Sequence, residues 1–290
     1  MKTTRAGPKP GIAPVLGLLA NALTWGVSWW PFRRLEALGL HPLWATALIY
    51  ATTLLVLTLW NRRAWGQLLG TPALWPLVLA AGATNACFNW GVTAGDVVRV
   101  VLLFYLMPLW AVLLARWLLG EALTARSLLQ VALALAGAAT VLWPADGDGW
   151  PLPRSLPEAL GLVGGFTFAL NNVLLRREAA QPAAAVALAM FGGGALVSSA
   201  VALAGGVALP LPQPLWLGWI AALALAFLGG NLALQYGAAR LRAGVTSVIM
   251  LTEVLFAAGS AIALGAGRLT IQIACGGALI VGAALLAGRE

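Results

Sequence analysis

The residues in this chain with most chemistry to offer lie inside apolar stretches. Glu253 sits near the middle of the stretch 243–265, with no Lys, Arg or His within four residues. A carboxylate at such a position costs about 2.5–3.5 kcal/mol on insertion scales. It is either a neutral acid bonded to backbone, or a group that faces water or another helix and can hold an amino group or relay a proton. Asn85 and Asn89 are four residues apart, as are Asn231 and Gln235, so each pair occupies one helix face. Two amide pairs are expected either to wall a cavity or to bond helices together, the latter worth about 0.6 kcal/mol each. Trp25 and Phe168 lie deep enough to stack on an aromatic ligand, although packing is the commoner use. Asn171 and Asn172 follow Phe168, and Asn21, Thr24 and Ser28 surround Trp25. In Phe104-Tyr105-Leu106-Met107-Pro108, Tyr105 offers a polar contact and Pro108 a kink or hinge, tolerable where neighbours re-satisfy the freed carbonyl.

Other chemistries lack their residues. The one histidine, His41, precedes Pro42 in a connection, and no Gly-x-Ser-x-Gly, His-Glu-x-x-His or phosphate-binding Gly-x-x-x-x-Gly-Lys-Ser/Thr pattern occurs. Asp146-Gly147-Asp148-Gly149 has too few ligands for calcium and reads as a turn. Cys87 and Cys275 fall within apolar stretches and read as buried small residues. No enzyme activity, metal or cofactor is expected.

The elements that position these residues follow from hydropathy. Hydrophobic residues make up 61% and charged residues 9%, against roughly 25% charged in soluble domains. Ten apolar segments are read at 12–32, 43–60, 72–93, 97–119, 126–144, 158–176, 182–206, 214–239, 243–265 and 270–288. A hydrocarbon core of about 30 Å takes about 20 helical residues. The start, with Lys2, Arg5 and Lys9, has the polarity of a signal peptide, but its apolar run continues to about Trp30 and is kept as the first crossing.

Ten crossings place Lys2, Arg5, Lys9, Arg62, Arg63, Arg116, Arg126, Arg176, Arg177, Arg240, Arg242 and Arg289 on one face. Arg33, Arg34, Arg99, Arg154 and Arg268 fall on the other. The richer face is cytoplasmic, with both termini on it. The net charge of +8 thus reflects orientation in the lipid bilayer, not nucleic-acid binding. Asp96 and Arg99 read as a solvated pair at the outer end, and Trp29, Trp30, Trp60, Trp65, Trp143 and Trp150 as interfacial anchors.

Asn85–Thr124 aligns without gaps to Asn231–Thr270, the polar matches being Asn85 with Asn231 and Asn89 with Gln235. With five helices per half, the second half enters from the opposite side. The fold expected is therefore an all-α integral membrane protein of ten helices in two inverted repeats. A cytoplasmic segment 1–11 precedes repeats at 12–144 and 158–290, joined by an outer linker, 145–157. The first, third, fourth, sixth, eighth and ninth segments are expected to enclose a central cavity, with the fifth and tenth peripheral. Gly161-x-x-x-Gly165 and Gly91-x-x-x-Gly95 fit close packing within the bundle.

Tyr105-Leu106-Met107-Pro108-Leu109-Trp110, Gly120-Glu121-Ala122-Leu123 and Leu251-Thr252-Glu253-Val254-Leu255-Phe256 resemble the drug/metabolite transporter superfamily, specifically its ten-helix exporters of two EamA-type repeats. The resemblance spans nearly the whole chain. Val254 stands where that family commonly has proline, and Ala266-Gly267 where it has a second Gly-Glu. The Tyr-x-Met-Pro-x-Trp stretch and the tryptophan-rich first helix look most like aromatic amino-acid exporters. The resemblance implies a secondary or facilitative exporter of amino acids in the cell membrane (a bacterial inner membrane), working by alternating access as a monomer or homodimer. Trp25, Asn85, Asn89, Tyr105, Phe168, Asn171, Asn231, Gln235 and Glu253 are the candidate substrate contacts. Export of a drug, a cation or another metabolite is the alternative; an intramembrane enzyme is the third reading. Phosphorylated substrates are disfavoured, because no basic residue lies at a helix midpoint.

Overall fold

A computed structural model describes residues 12–120, 122–144, 150–238, 240–241, 249–250 and 252–287. Among these the chain forms thirteen α-helices and one 3-10 turn, and no strand. The first helices are α1 (Ile12–Val27), α2 (Trp29–Ala37), α3 (Pro42–Trp60), α4 (Arg63–Leu69) and α5 (Trp75–Ala94). Then come α6 (Val97–Phe104), α7 (Met107–Leu119), α8 (Ala125–Leu142), α9 (Leu156–Arg177) and α10 (Ala183–Ala204). The last are α11 (Pro214–Ala238), α12 (Thr252–Ala263) and α13 (Ile271–Ala287).

Among the described residues seven rods are long and apolar enough to cross a membrane: α1–α2 together, α3, α6–α7 together, α8, α9, α10 and α11. The shorter α12 and α13 are apolar as well. Helix α5 has 20 residues, about 30 Å at 1.5 Å each, but carries Thr84, Asn85, Asn89 and Thr93. Large apolar side chains face outward, with Leu225 67%, Leu255 70% and Ile271 86% exposed, as a lipid-facing surface requires.

Several boundaries differ from the sequence reading. The first segment runs on to Ala37 and breaks at Ser28. Pro31, three residues later, has no N–H for the carbonyl of Val27, and Ser28 Oγ donates to Trp25 O at 2.9 Å. The fourth segment breaks at Tyr105–Leu106, before Pro108, which lies in the first turn of α7. The connection after α3 holds the short helix α4. Segments 1–11, 145–149 and 242–248, with Glu121, Leu251 and Arg289, lie outside the described residues. Glu253 falls in the first turn of α12 as described. At the end of α7, Gly120 adopts the left-handed conformation (φ 71°) that favours glycine.

Two surface expectations also change. Trp29 is buried in the bundle, its Nε1 donating to Ser260 Oγ at 3.0 Å, while Trp60 and Trp150 are exposed. Asp96 and Arg99 do not pair through their side chains. Asp96 Oδ1 accepts from the Arg99 backbone N–H at 2.9 Å, capping α6, and Arg99 pairs with Glu158 of α9 at 2.9 Å.

The helices of one half pack largely on those of the other. Helix α1 meets α11 and α12; α5 meets α9 and α10; α3 meets α10 and α11; α6 and α7 meet α9; and α8 meets α13. Small residues allow it. Gly82 and Gly193 put the backbones of α5 and α10 in contact, and Gly137 and Gly276 do so for α8 and α13. Gly161 and Gly165 face the Val100 and Phe104 carbonyls, and Gly91 and Gly95 lie against Pro157, so both glycine-spaced motifs pack within the bundle.

A Cβ on Gly193 would collide with the Val78 carbonyl oxygen, whereas one on Gly218 meets nothing within 4 Å. Gly193→Ala is expected to cost about 1–3 kcal/mol by overpacking. Gly218→Ala should be neutral or stabilising by up to about 1 kcal/mol. Unfolding curves in detergent check both; equal stability of Gly193→Ala and the parent would contradict this packing.

Candidate functional site

The two halves enclose a cavity of about 500 Å³. Its wall takes Asn21 and Trp25 from α1, Tyr50 from α3, Thr84, Asn85 and Phe88 from α5, and Phe104, Tyr105, Met107, Pro108 and Ala111 from the α6–α7 rod. The second half adds Phe168, Asn171 and Asn172 from α9, Met190 and Phe191 from α10, Phe227 and Asn231 from α11, and Glu253 from α12. Helices α3 and α10 therefore join the six expected to form the wall. Helix α13 contributes Ala284 alone, and α8 nothing.

Part of the wall is a run of aromatic rings in contact. Trp25 stacks on Phe227 with centroids 4.5 Å apart and planes at 12°. Phe227 continues to Tyr50 at 6.0 Å, and Tyr50 to Phe191 at 5.5 Å. On the other side Trp25 meets Phe88 at 6.2 Å, Phe88 meets Phe104 at 4.8 Å, and Phe104 meets Phe168 at 5.3 Å. Such pairs contribute about 0.5–1.5 kcal/mol each beyond area burial and present ring faces to whatever lies between them. Trp25 and Phe168 are thus partly engaged with neighbours while still bordering the cavity.

Glu253 meets this wall from the second half. Tyr105 Oη donates to Glu253 Oε2 at 3.0 Å, across the boundary between halves. The break before α7 frees Tyr105 from a continuous helix, and it arises because Pro108 cannot donate to the Phe104 carbonyl. That carbonyl lies against Gly165, while the carbonyl of Pro108 accepts from Gln130 Nε2 at 3.1 Å. No Lys, Arg or His borders the cavity among the described residues. Glu253 is the one acidic side chain on the described wall.

The amides divide in a way that spacing did not reveal. Asn85 borders the cavity, accepting from Tyr50 Oη at 2.5 Å and donating to Ala81 O at 2.8 Å. Asn89 does not: it is fully buried and donates to Thr46 Oγ1 at 3.2 Å. Asn231 borders the cavity, whereas Gln235 is exposed, donating to Asn231 Oδ1 at 2.7 Å. Asn171 borders the cavity with its Oδ1 buried and unpartnered.

Asn21 and Tyr50 are wall residues outside the candidate set. Asn21 is 1% exposed, and neither Nδ2 nor Oδ1 has a hydrogen-bond partner. A buried polar group left unpaired costs about 1–3 kcal/mol. Its signal in the sequence was its place one turn before Trp25; that of Tyr50 was being one of three tyrosines, the only one in its segment. Among the described residues no three His, Cys, Asp or Glu side chains converge on a point, and Cys87 and Cys275 are free thiols.

Residues 12–143 match the EamA-like transporter family. No match was found among the curated proteins. Among solved structures the chain is similar to a crystal structure described only as that of a protein, with 21% identity and a TM-score of 0.55. That likeness covers 96% of this chain and 97% of the other, and concerns the fold alone. Residues 12–143 are thus similar to the EamA-like transporter family, and the chain is a multi-pass membrane protein with seven helical rods, among the described residues, long and apolar enough to cross a bilayer.

Proposed function

We propose that the chain exports amino acids, aromatic and other neutral ones, by alternating access through the cavity between its halves. The observation that carries this reading is Glu253, held by Tyr105 in a wall of aromatic rings, amides and small or aliphatic apolar side chains with no described basic residue. A carboxylate there binds a substrate ammonium, the rings accept an apolar or aromatic side chain, and the amides supply neutral hydrogen bonds. Transport is secondary or facilitative, because the chain has no phosphate-binding loop.

In this reading α5, α12 and α13 cross the membrane with the seven apolar rods, giving ten crossings with both termini cytoplasmic. The helix pairings support inverted halves. Exchanging first-half helices for their second-half counterparts turns α1–α11 into α9–α5, and α3–α11 into α10–α5; both pairings occur. Two related halves that trade conformations open a site near the midplane to each face in turn. A second reading, export of organic amines, is favoured by the lack of any basic residue on the described wall.

In proteoliposomes, labelled phenylalanine should move and unlabelled phenylalanine should compete. Glu253→Gln keeps shape and hydrogen bonding but removes the charge. Flux is expected to fall at least about tenfold, with membrane level and fold retained. Unchanged flux and unchanged pH dependence in that variant would retire Glu253 from the mechanism.

Orientation is tested separately, in a background lacking Cys87 and Cys275. A cysteine replacing exposed Leu152 should react with an impermeant reagent in intact cells, and one replacing Arg62 should not. The reverse pattern would overturn the orientation.

A further inference from the structure

Resting on the amino-acid reading, we propose that Asn21 is the residue that reads the substrate's carboxylate, its Nδ2 donating to one of the carboxylate oxygens. The cavity wall has no described basic side chain, so a carboxylate there must be met by neutral donors. Four donors on the wall are already committed within the protein. Tyr50 Oη serves Asn85, Asn85 Nδ2 serves Ala81 O, Tyr105 Oη serves Glu253, and Thr84 Oγ1 serves Ala80 O. Asn171 is buried with its Oδ1 unpartnered, but Asn21 is, among the described wall residues, the buried amide whose two polar atoms both lack a partner, at 1% exposure.

Its place on α1 fits the role. Trp25 lies one turn further on, on the same face, and stacks on Phe227, which gives a substrate ring a surface beside the amide. Helix α12 crosses α1 at Gly26, where a Cβ would lie 2.9 Å from the carbonyl oxygen of Glu253. Asn21 is five residues earlier, about 7.5 Å along the axis. Glu253 then holds the ammonium and Asn21 the carboxylate, so the pair selects α-amino acids over amines of the same shape.

The test uses the full chain in proteoliposomes, with labelled phenylalanine and labelled phenethylamine, the same molecule without its carboxylate. Asn21→Leu is nearly the same size and removes an unpaired polar group, so its unfolding midpoint should be equal to or above the parent's. Phenylalanine flux below saturation should fall about tenfold or more, while phenethylamine flux stays within about twofold. Asn21→Ala should show the same split and serves if leucine lowers the midpoint. Equal loss of both compounds, or no loss of phenylalanine, overturns the role of Asn21 and leaves the amino-acid reading standing. A parent protein that carries neither compound, or phenethylamine alone, overturns that reading and this inference with it.

Discussion

Hydrocarbon offers a carboxyl group no hydrogen bond, so Glu253 depends on what the protein brings to it, and the bond from Tyr105 sets much of the surrounding architecture. Tyr105 belongs to the first half and Glu253 to the second. For the two to meet, the α6–α7 rod must break, which follows from Pro108. The rod must also lie close to α9, which follows from Gly161 and Gly165 facing its carbonyls. Helix α12 must approach α1, which follows from Gly26. One polar contact thus requires a proline and three glycines on three helices.

The same constraint explains why glycine marks so many crossings. Between helices in lipid there is little hydrophobic drive, so close packing and polar bonds decide association. At Gly82–Gly193 and Gly137–Gly276 the backbones themselves meet. Where the wall must stay apart, around the cavity, the residues are large: Trp25, Phe88, Phe104, Phe168, Phe227 and Tyr50. Small residues at the crossings and aromatic ones between them leave a space bounded by rings, not a filled core.

The bundle was legible in the sequence because bilayer thickness imposes a length on apolar runs, and proline and charge mark their ends. The local breaks were not. Pro31 sits within an apolar run beside three tryptophans and leaves hydropathy unchanged, yet it interrupts the ladder at Ser28. Spacing placed Asn85 and Asn89 on one face correctly, but a cavity spans only part of a helix's length, and Asn89 lies beyond it against Thr46. Gln235 lies past the other edge in the same way, one turn from Asn231. Trp29 looked like an interfacial anchor because it stands near the outer end of the first segment; its Nε1 instead meets Ser260 from the other half, a partner 231 residues away that periodicity cannot indicate. Glu253, rare in type and deep in an apolar run, needed no such partner to be noticed.

The remaining asymmetry is between the middle of the bundle and the end that carries Asp96, Arg99, Glu158 and Arg268. At the middle the halves meet through glycine backbones and stacked rings, whose attraction falls away over a very small separation. At that end they meet through polar ties: Arg99 with Glu158 at 2.9 Å, Asp96 Oδ2 with the Arg268 N–H at 3.3 Å, and Gln272 Nε2 with the Thr140 and Trp143 carbonyls at 2.8 and 2.7 Å. Arg99 and Glu158 keep 32% and 13% side-chain exposure, so water is at hand to replace each bond as it breaks. An equilibrium between two arrangements needs them to differ by only a few kcal/mol. Ties that exchange protein for water at near-equal free energy meet that condition, and glycine-packed crossings do not. On the alternating-access reading, the halves would pivot on the crossings and part at the polar end.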